Sequence, residues 1–274
     1  MPDRINNHIM MDNWKQLADC RRIVIKVGTS TLSYPNGRLN YQRFVKLADS
    51  MARIQKTGKK IILVSSGAIA IGAGRLGFDS KPADLADKQA LASIGQAELI
   101  RIYRKFFELR DQQVAQVLLT KDILVNSERR RNAGNTMDEL LALNIIPIIN
   151  ENDTVSTDEI EFGDNDTLSA NVACLVNADL LIMLSDIDGL FSADPRIFPE
   201  AKIIPEVSEI TDEMERSATG SGQGFGTGGM ATKIAASRIC NDAGIKVVIA
   251  NGSNPGIITD IVSGKRSGTL FSWK

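Results

Sequence analysis

The chain has 274 residues, 43% hydrophobic and 24% charged, with 32 Lys+Arg against 33 Asp+Glu and a formal net charge of -1. This balance excludes a chain that is disordered throughout and sets aside a general nucleic-acid binder, which carries a basic domain. Three distant cysteines (Cys20, Cys174, Cys240) and one histidine (His8) leave no Cys-x-x-Cys pair, histidine triad or histidine-ligated metal, so no metal ligand set is expected.

The first 20 residues are polar and aperiodic and read as a leader before a domain spanning 21–274, with Trp14 and Leu17 able to form an anchoring turn. The start lacks a signal-peptide core, and no apolar run reaches the ~18 residues of a membrane span. The expectation is a cytoplasmic protein in a reducing compartment, neither exported nor embedded.

Apolar β-rich runs follow at 23–27, 61–64, 114–119, 145–149, 180–184 and 246–250, separated by segments of helical period. Such alternation predicts an α/β fold, a three-layer αβα sandwich around a mainly parallel sheet. Phe44, Leu47, Met51 and Ile54 recur at spacings of three and four and fall on one helix face. Residues 82–110 predict a long helix with Leu91, Ile94, Ile102, Phe106 and Leu109 as its buried stripe. Another helix runs through Met137, Leu140 and Leu141, and residues 268–271 close the sheet.

Ligands of parallel sheets bind where strands end and helices begin. The first such loop, IKVGTST, places Lys26 in a strand and Gly28, Thr29 and hydroxyl groups at its end, a set suited to phosphate oxygens. The second, VSSGAIAIG, places Ser66 and Gly67 before a helix; an anion site and a tightly packed turn account for it equally well. Directly afterwards Gly72, Gly74 and Gly77 match G-x-G-x-x-G, but six residues separate them from the strand, so they read as a helix end and loop.

The third region is IINENDTV with GDNDTLSA, which concentrates carboxylates and amides beyond what helix capping explains. The fourth, residues 220–233, is a glycine-rich loop running into a helix with Lys233 in its first turns, a phosphate cradle in composition although not a P-loop. Arg129, Arg130 and Arg131 lack interleaved aromatics and read as a solvated or interface face.

Two distant lysines, glycine-rich loops and a carboxylate/amide cluster fit phosphoryl transfer from a nucleotide, where positioning and charge neutralisation dominate. A carboxylate acceptor is ionised near neutral pH and needs no general base. Lys26, Lys233, Mg2+ and backbone amides would offset repulsion between the anionic nucleophile and the polyphosphate, and Asp166 can hold both ammonium groups.

Together IKVGTSTL, VSSGAIAIG, IINENDTV, GDNDTLSA, LSDIDGLFSADPR and GTGGMATK resemble the amino-acid kinase family in its glutamate-phosphorylating branch, from Arg21 to Phe271. The resemblance implies transfer of the γ-phosphoryl of ATP to the side-chain carboxylate of L-glutamate, giving L-glutamyl 5-phosphate for proline synthesis. It implies catalytic roles for Lys26, Lys233 and Asp166. ATP contacts would come from Lys26, Gly28, Thr29, Ser185, Asp186, Thr227, Gly228, Gly229, Met230, Ala231, Thr232 and Lys233, and glutamate contacts from Ser66, Gly67, Asp153 and Asn165. Feedback inhibition by proline and a homo-oligomer, dimer or tetramer, are implied as well. Many members carry an extra C-terminal domain, and this chain reads as the kinase-only form. The alternatives are a same-fold kinase for another acceptor, such as aspartate or N-acetylglutamate, and a non-catalytic amino-acid sensor.

Overall fold

The computed structural model describes residues 13–34, 38–78, 82–155, 165–212, 214–215 and 229–273. Its strands are β1 (Arg22–Val27), β2 (Lys60–Ser65), β3 (Val114–Leu119), β4 (Ile146–Glu151), β5 (Leu180–Ser185), β6 (Glu206–Val207), β7 (Lys246–Asn251) and β8 (Thr269–Phe271). They form one sheet in the order β3-β4-β2-β1-β5-β7-β8-β6. Pairing is parallel from β3 to β7, antiparallel between β7 and β8, and parallel again between β8 and β6.

The helices are α1 (Thr29–Leu32), α2 (Tyr41–Lys56), α3 (Ala68–Leu76), α4 (Leu85–Glu108), α5 (Ser127–Ala142), α6 (Asn165–Leu175), α7 (Met230–Asp242) and α8 (Ile257–Val262). The two-residue strand period sorts the sheet's side chains into two cores. Ile23, Ile25, Leu63, Ile182 and Leu184 join Phe44, Leu47 and Met51 of α2, Leu99 and Phe107 of α4, and Ile258 of α8. Val24, Ile62, Val64, Leu181 and Met183 join Met137 of α5, Ala173 of α6 and Ile234 of α7. The result is the three-layer αβα sandwich around a mainly parallel sheet that the alternation predicts. Trp14 and Leu17 are buried in the first core, so the expected anchoring turn is present, with a 3-10 turn at Gln16–Asp19.

Side-chain caps set several helix starts. Asp84 accepts from the Ala86 and Asp87 amides at 2.8 and 3.3 Å, so α4 begins at Leu85 rather than at Pro82. The buried stripe of α4 is Leu91, Ala92, Gly95, Leu99, Ile102, Tyr103 and Phe107. Of the expected stripe, Leu91 and Ile102 are buried and Phe106 packs partly against the core, but Ile94 is 40% and Leu109 73% exposed. Gly95 sets that face by allowing close approach of a neighbouring helix, a contact that counting large apolar residues passes over.

The same contact explains one of the glycines that imitate a dinucleotide motif, Gly72. Gly72 and Gly74 lie inside α3, and Gly77 is its C-cap at φ 75°, so the expected helix end applies to Gly77 alone. A Cβ at Gly72 would stand 2.0 Å from the Leu91 carbonyl oxygen of α4. Among the described residues, no helix is long and apolar enough to cross a membrane.

Candidate active site

Parallel pairing brings the carboxyl ends of the central strands level, with Val27 beside both Ser65 and Leu184. The loops after β1, β2, β4 and β5 therefore open on the same sheet edge. Lys26 shares its strand face with Val24 and points to the layer of α5, α6 and α7. It is 7% exposed on a central strand, not a solvated lysine at an edge.

Asp166, in the first turn of α6, meets two lysines from distant parts of the chain. Lys26 Nζ lies 2.5 Å from Asp166 Oδ1, and Lys233 Nζ lies 3.0 Å from Asp166 Oδ2. Asp166 is fully buried, and Lys233, in the first turns of α7, is buried too. Burial pushes the Asp166 carboxyl up, but the charges and hydrogen bonds of Lys26 and Lys233 outweigh it and hold the carboxyl well below the usual carboxylate range. Among the described residues two ammonium groups share one carboxylate, an excess of positive charge that suits an anionic ligand. Thr232 Oγ1 joins it, 2.9 Å from Asp166 Oδ2 and 2.8 Å from the Gly229 carbonyl oxygen.

Gly28 flanks the cluster; a Cβ there would lie 3.8 Å from Lys26 Nζ. Gly67 caps α3 at φ 103°, a conformation that favours glycine, and its Cβ position would be 3.6 Å from Thr29 Oγ1. The loops of β1 and β2 thus meet through Thr29 and Gly67. Ser185 is buried at the end of β5, where its hydroxyl lies 3.1 Å from a carboxylate oxygen of the exposed Asp186. Gly229 is the N-cap of α7, and Met230 and Ala231 rest partly against the second core. Thr227 and Gly228 lie outside the described residues.

On the other side of Asp166, Asn165 Nδ2 lies 2.6 Å from Ser66 Oγ, 3.3 Å from the Ser65 carbonyl oxygen and 3.2 Å from Asn150 Oδ1. Asn150 Nδ2 donates in turn to Gln96 Oε1 of α4 at 2.8 Å. Ser66 and Asn165 are therefore together as expected. Asn150 and Gln96 are additions; Asn150 stands in the NEND cluster itself, whereas no local pattern singles out Gln96 within a long helix.

Asp153 lies farther along, on a cavity of about 370 Å³ whose lining includes Ser93, Gln96, Gln116, Glu151 and Thr154. Burial, helped by the Glu151 charge, pushes the Asp153 carboxyl up to about 7. Asp153 Oδ1 and Gln96 Nε2 are buried with no hydrogen-bond partner among the described residues. A buried acceptor on the cavity calls for a ligand that carries a donor. Arg129 pairs with Asp122, and Arg130 and Arg131 are exposed.

The model of the amino acid kinase family matches residues 21–251. The chain is 51% identical over 261 residues to a protein named glutamate 5-kinase from Clostridium perfringens, covering 94% of this chain and 97% of that one. It is 50% identical over 264 residues to one from Listeria monocytogenes, covering 95% and 96% of the two chains. Among solved structures, UMP kinase from Ureaplasma parvum superposes with a TM-score of 0.63 at 19% identity, over 92% of this chain and 98% of that one. UMP kinase from Bacillus anthracis gives 0.61 at 17%, over 92% and 96%. Fold, matched span and relatives agree: the chain belongs to the amino acid kinase family.

Proposed function

We propose that this chain phosphorylates the side-chain carboxylate of L-glutamate with ATP, yielding L-glutamyl 5-phosphate for proline biosynthesis. The observation that carries the reading is the buried Lys26–Asp166–Lys233 cluster, two lysines on one carboxylate at the strand ends. The names and similarity of the relatives support the choice of glutamate.

In this reading the nucleotide enters as its Mg2+ complex, the cation belonging to the substrate. Gly28, Thr29, Ser185, Asp186 and the start of the helix Met230–Asp242 frame the nucleotide, with Thr227 to Lys233 beside its phosphates. Ser66, Gly67, Asp153 and Asn165 hold the amino acid. One oxygen of the glutamate γ-carboxylate attacks the γ-phosphorus, the bond from that phosphorus to the β,γ-bridging oxygen breaks, and ADP departs with the electron pair. The nucleophile is already ionised, so no proton has to be removed. Lys26 and Lys233 offset the charge that brings two anions together, and Asp166 keeps both ammonium groups aimed at the transferring phosphoryl.

The unpartnered Asp153 Oδ1 supports a free amino acid as acceptor, because an α-ammonium supplies the donor it lacks. Proline, also an α-amino acid, fits the same polar groups as a feedback inhibitor. The protein works in this reading as a cytoplasmic homo-oligomer, dimer or tetramer. The test is incubation of purified protein with Mg-ATP and hydroxylamine, offering L-glutamate, L-aspartate and N-acetyl-L-glutamate separately. Hydroxamate from glutamate alone is the expected result. Product from another acceptor instead, or none despite ATP binding, overturns the reading.

A further inference from the structure

Three carboxamides run head to tail through the molecule, each on a different element. Gln96 Oε1 of α4 accepts from Asn150 Nδ2 of β4 at 2.8 Å. Asn150 Oδ1 accepts from Asn165 Nδ2 of α6 at 3.2 Å, and the same nitrogen reaches Ser66 Oγ and the Ser65 carbonyl oxygen. Asn150 is 1% and Asn165 2% exposed, so neither can exchange these partners for bulk water.

An amide pair is bonded only when an oxygen faces an NH2, so turning one member over sets two donors or two acceptors against each other. The Ser65 carbonyl accepts only and fixes the polarity at the α6 end. Ser66 Oγ can donate or accept and fixes nothing. At the α4 end, Gln96 Oε1 is the acceptor that keeps the Asn150 NH2 pointing away from Asn165. With this polarity Asn165 Oδ1 is buried without a partner among the described residues. It is the atom of Asn165 left for a ligand.

We infer that Gln96 is a positioning residue for the acceptor site: by accepting from the Asn150 NH2 it holds Asn150 Oδ1 toward Asn165 and so supports the polarity that the Ser65 carbonyl sets, which decides the atom Asn165 presents to the amino acid and how Asn165 holds Ser66 Oγ. This rests on the proposed function, because it assigns Asn165 and Ser66 to the acceptor. It adds a residue from a helix outside the site loops, acting through another side chain rather than on the substrate.

The test compares Gln96→Met, which keeps the length and loses the acceptor, with Gln96→Glu, which keeps an acceptor oxygen whether ionised or protonated. The expected result is a KM for L-glutamate about tenfold higher in Gln96→Met, with the KM for Mg-ATP within about twofold, and recovery to within about threefold in Gln96→Glu. An unchanged glutamate KM in Gln96→Met overturns the inference. So does equal impairment in both variants, which would mean that Nε2 itself touches the substrate. Parallel loss for both substrates with an early melting transition would make Gln96 purely structural.

Wild-type protein that makes no hydroxamate from glutamate overturns the proposed function instead. The amide chain is then still read in 15N-labelled protein. The Asn150 and Asn165 side-chain NH2 resonances should move in Gln96→Met and return in Gln96→Glu; resonances that stay in place in Gln96→Met refute the inference.

Discussion

Gly95 of α4 lies against Ala68 of α3 so closely that a Cβ at Gly95 would stand 1.7 Å from the Ala68 carbonyl oxygen and 2.6 Å from the Gly72 amide nitrogen. Both contacts are backbone, so no side-chain rotation relieves them. Ala68 is the first residue of α3 and follows Ser66 and Gly67, so the crossing sets where that loop sits. Gln96, the next residue of α4, reaches Asn150. One helix crossing therefore locates two parts of the site.

Gly95→Ala should force the helices apart and cost about 1–3 kcal/mol or more, as overpacking of a dense interior does. It should also raise the KM for the acceptor as Ser66 moves. Gly74→Ala is the contrast: nothing lies within 4 Å of its Cβ position, inside the same α3. There alanine should stabilise by about 0.5–1 kcal/mol. Thermal melts of the two variants check the pair, and a Gly95→Ala protein as stable as wild type would contradict the crossing.

Asp166→Asn should remove both turnover and much of the stability. It leaves Lys26 and Lys233 buried without their shared carboxylate, a loss on the order of 3–5 kcal/mol for a buried pair deprived of one member. The folded Asp166 pKa is lowered, so its contribution is complete above the unfolded pKa of about 4 and is lost as pH falls through the folded value. The stability gap between wild type and variant should be full at neutral pH and shrink in acid. A gap that stays constant down to pH ~2 would contradict the assigned pairing.

Asp153 runs the other way. Its carboxyl is pushed up to about 7 by burial and by the Glu151 charge, so ionisation favours the unfolded chain. This penalty is absent below the unfolded pKa of about 4, grows as pH rises from there to the folded value, and is constant above it. Asp153→Asn should therefore match wild type in melting temperature near pH 4 and exceed it by several degrees at pH 8. Its KM for glutamate should rise at pH 8, where wild-type Asp153 is ionised and an amide cannot pair with an ammonium as a carboxylate does, and change much less near pH 4, where the wild-type carboxyl is already protonated. Melting curves and acceptor titrations at the two pH values decide the matter.

Much of this was legible in the sequence, for physical reasons. The buried parallel strands are nearly all apolar, so β1, β2 and β5 show themselves as short runs of Ile, Val and Leu. Lys26 stood out because a lysine inside such a run is costly unless paired. Asp166 was legible as part of a polar cluster too dense for capping. The contacts of Gln96 and Gly95 were not legible. One depends on an amide reaching across a layer, the other on two backbones touching, and neither leaves a periodic trace. The α4 stripe shifted for the same reason, since Ile94 and Leu109 are large and apolar but Gly95 occupies the contact.

Lys233 and Lys26 contact the same carboxylate but should differ in kinetic effect. Lys233 sits in the first turns of α7, after the glycine-rich stretch of sequence, so in the proposed reaction it follows the phosphoryl as it transfers. Lys233→Ala leaves Asp166 paired with Lys26 at 2.5 Å, so the fold should survive. An interaction made mainly in the transition state lowers kcat and leaves ground-state binding nearly unchanged. Lys233→Ala should therefore cut kcat by about 100- to 1,000-fold, the range for removing one preorganised charge-stabilising donor, while the affinity for Mg-ATP falls only a few-fold. Pre-steady-state turnover and equilibrium nucleotide binding separate the two quantities. If the loss falls on nucleotide affinity while kcat holds, Lys233 binds the ground state and the charge-stabilising role passes to Lys26.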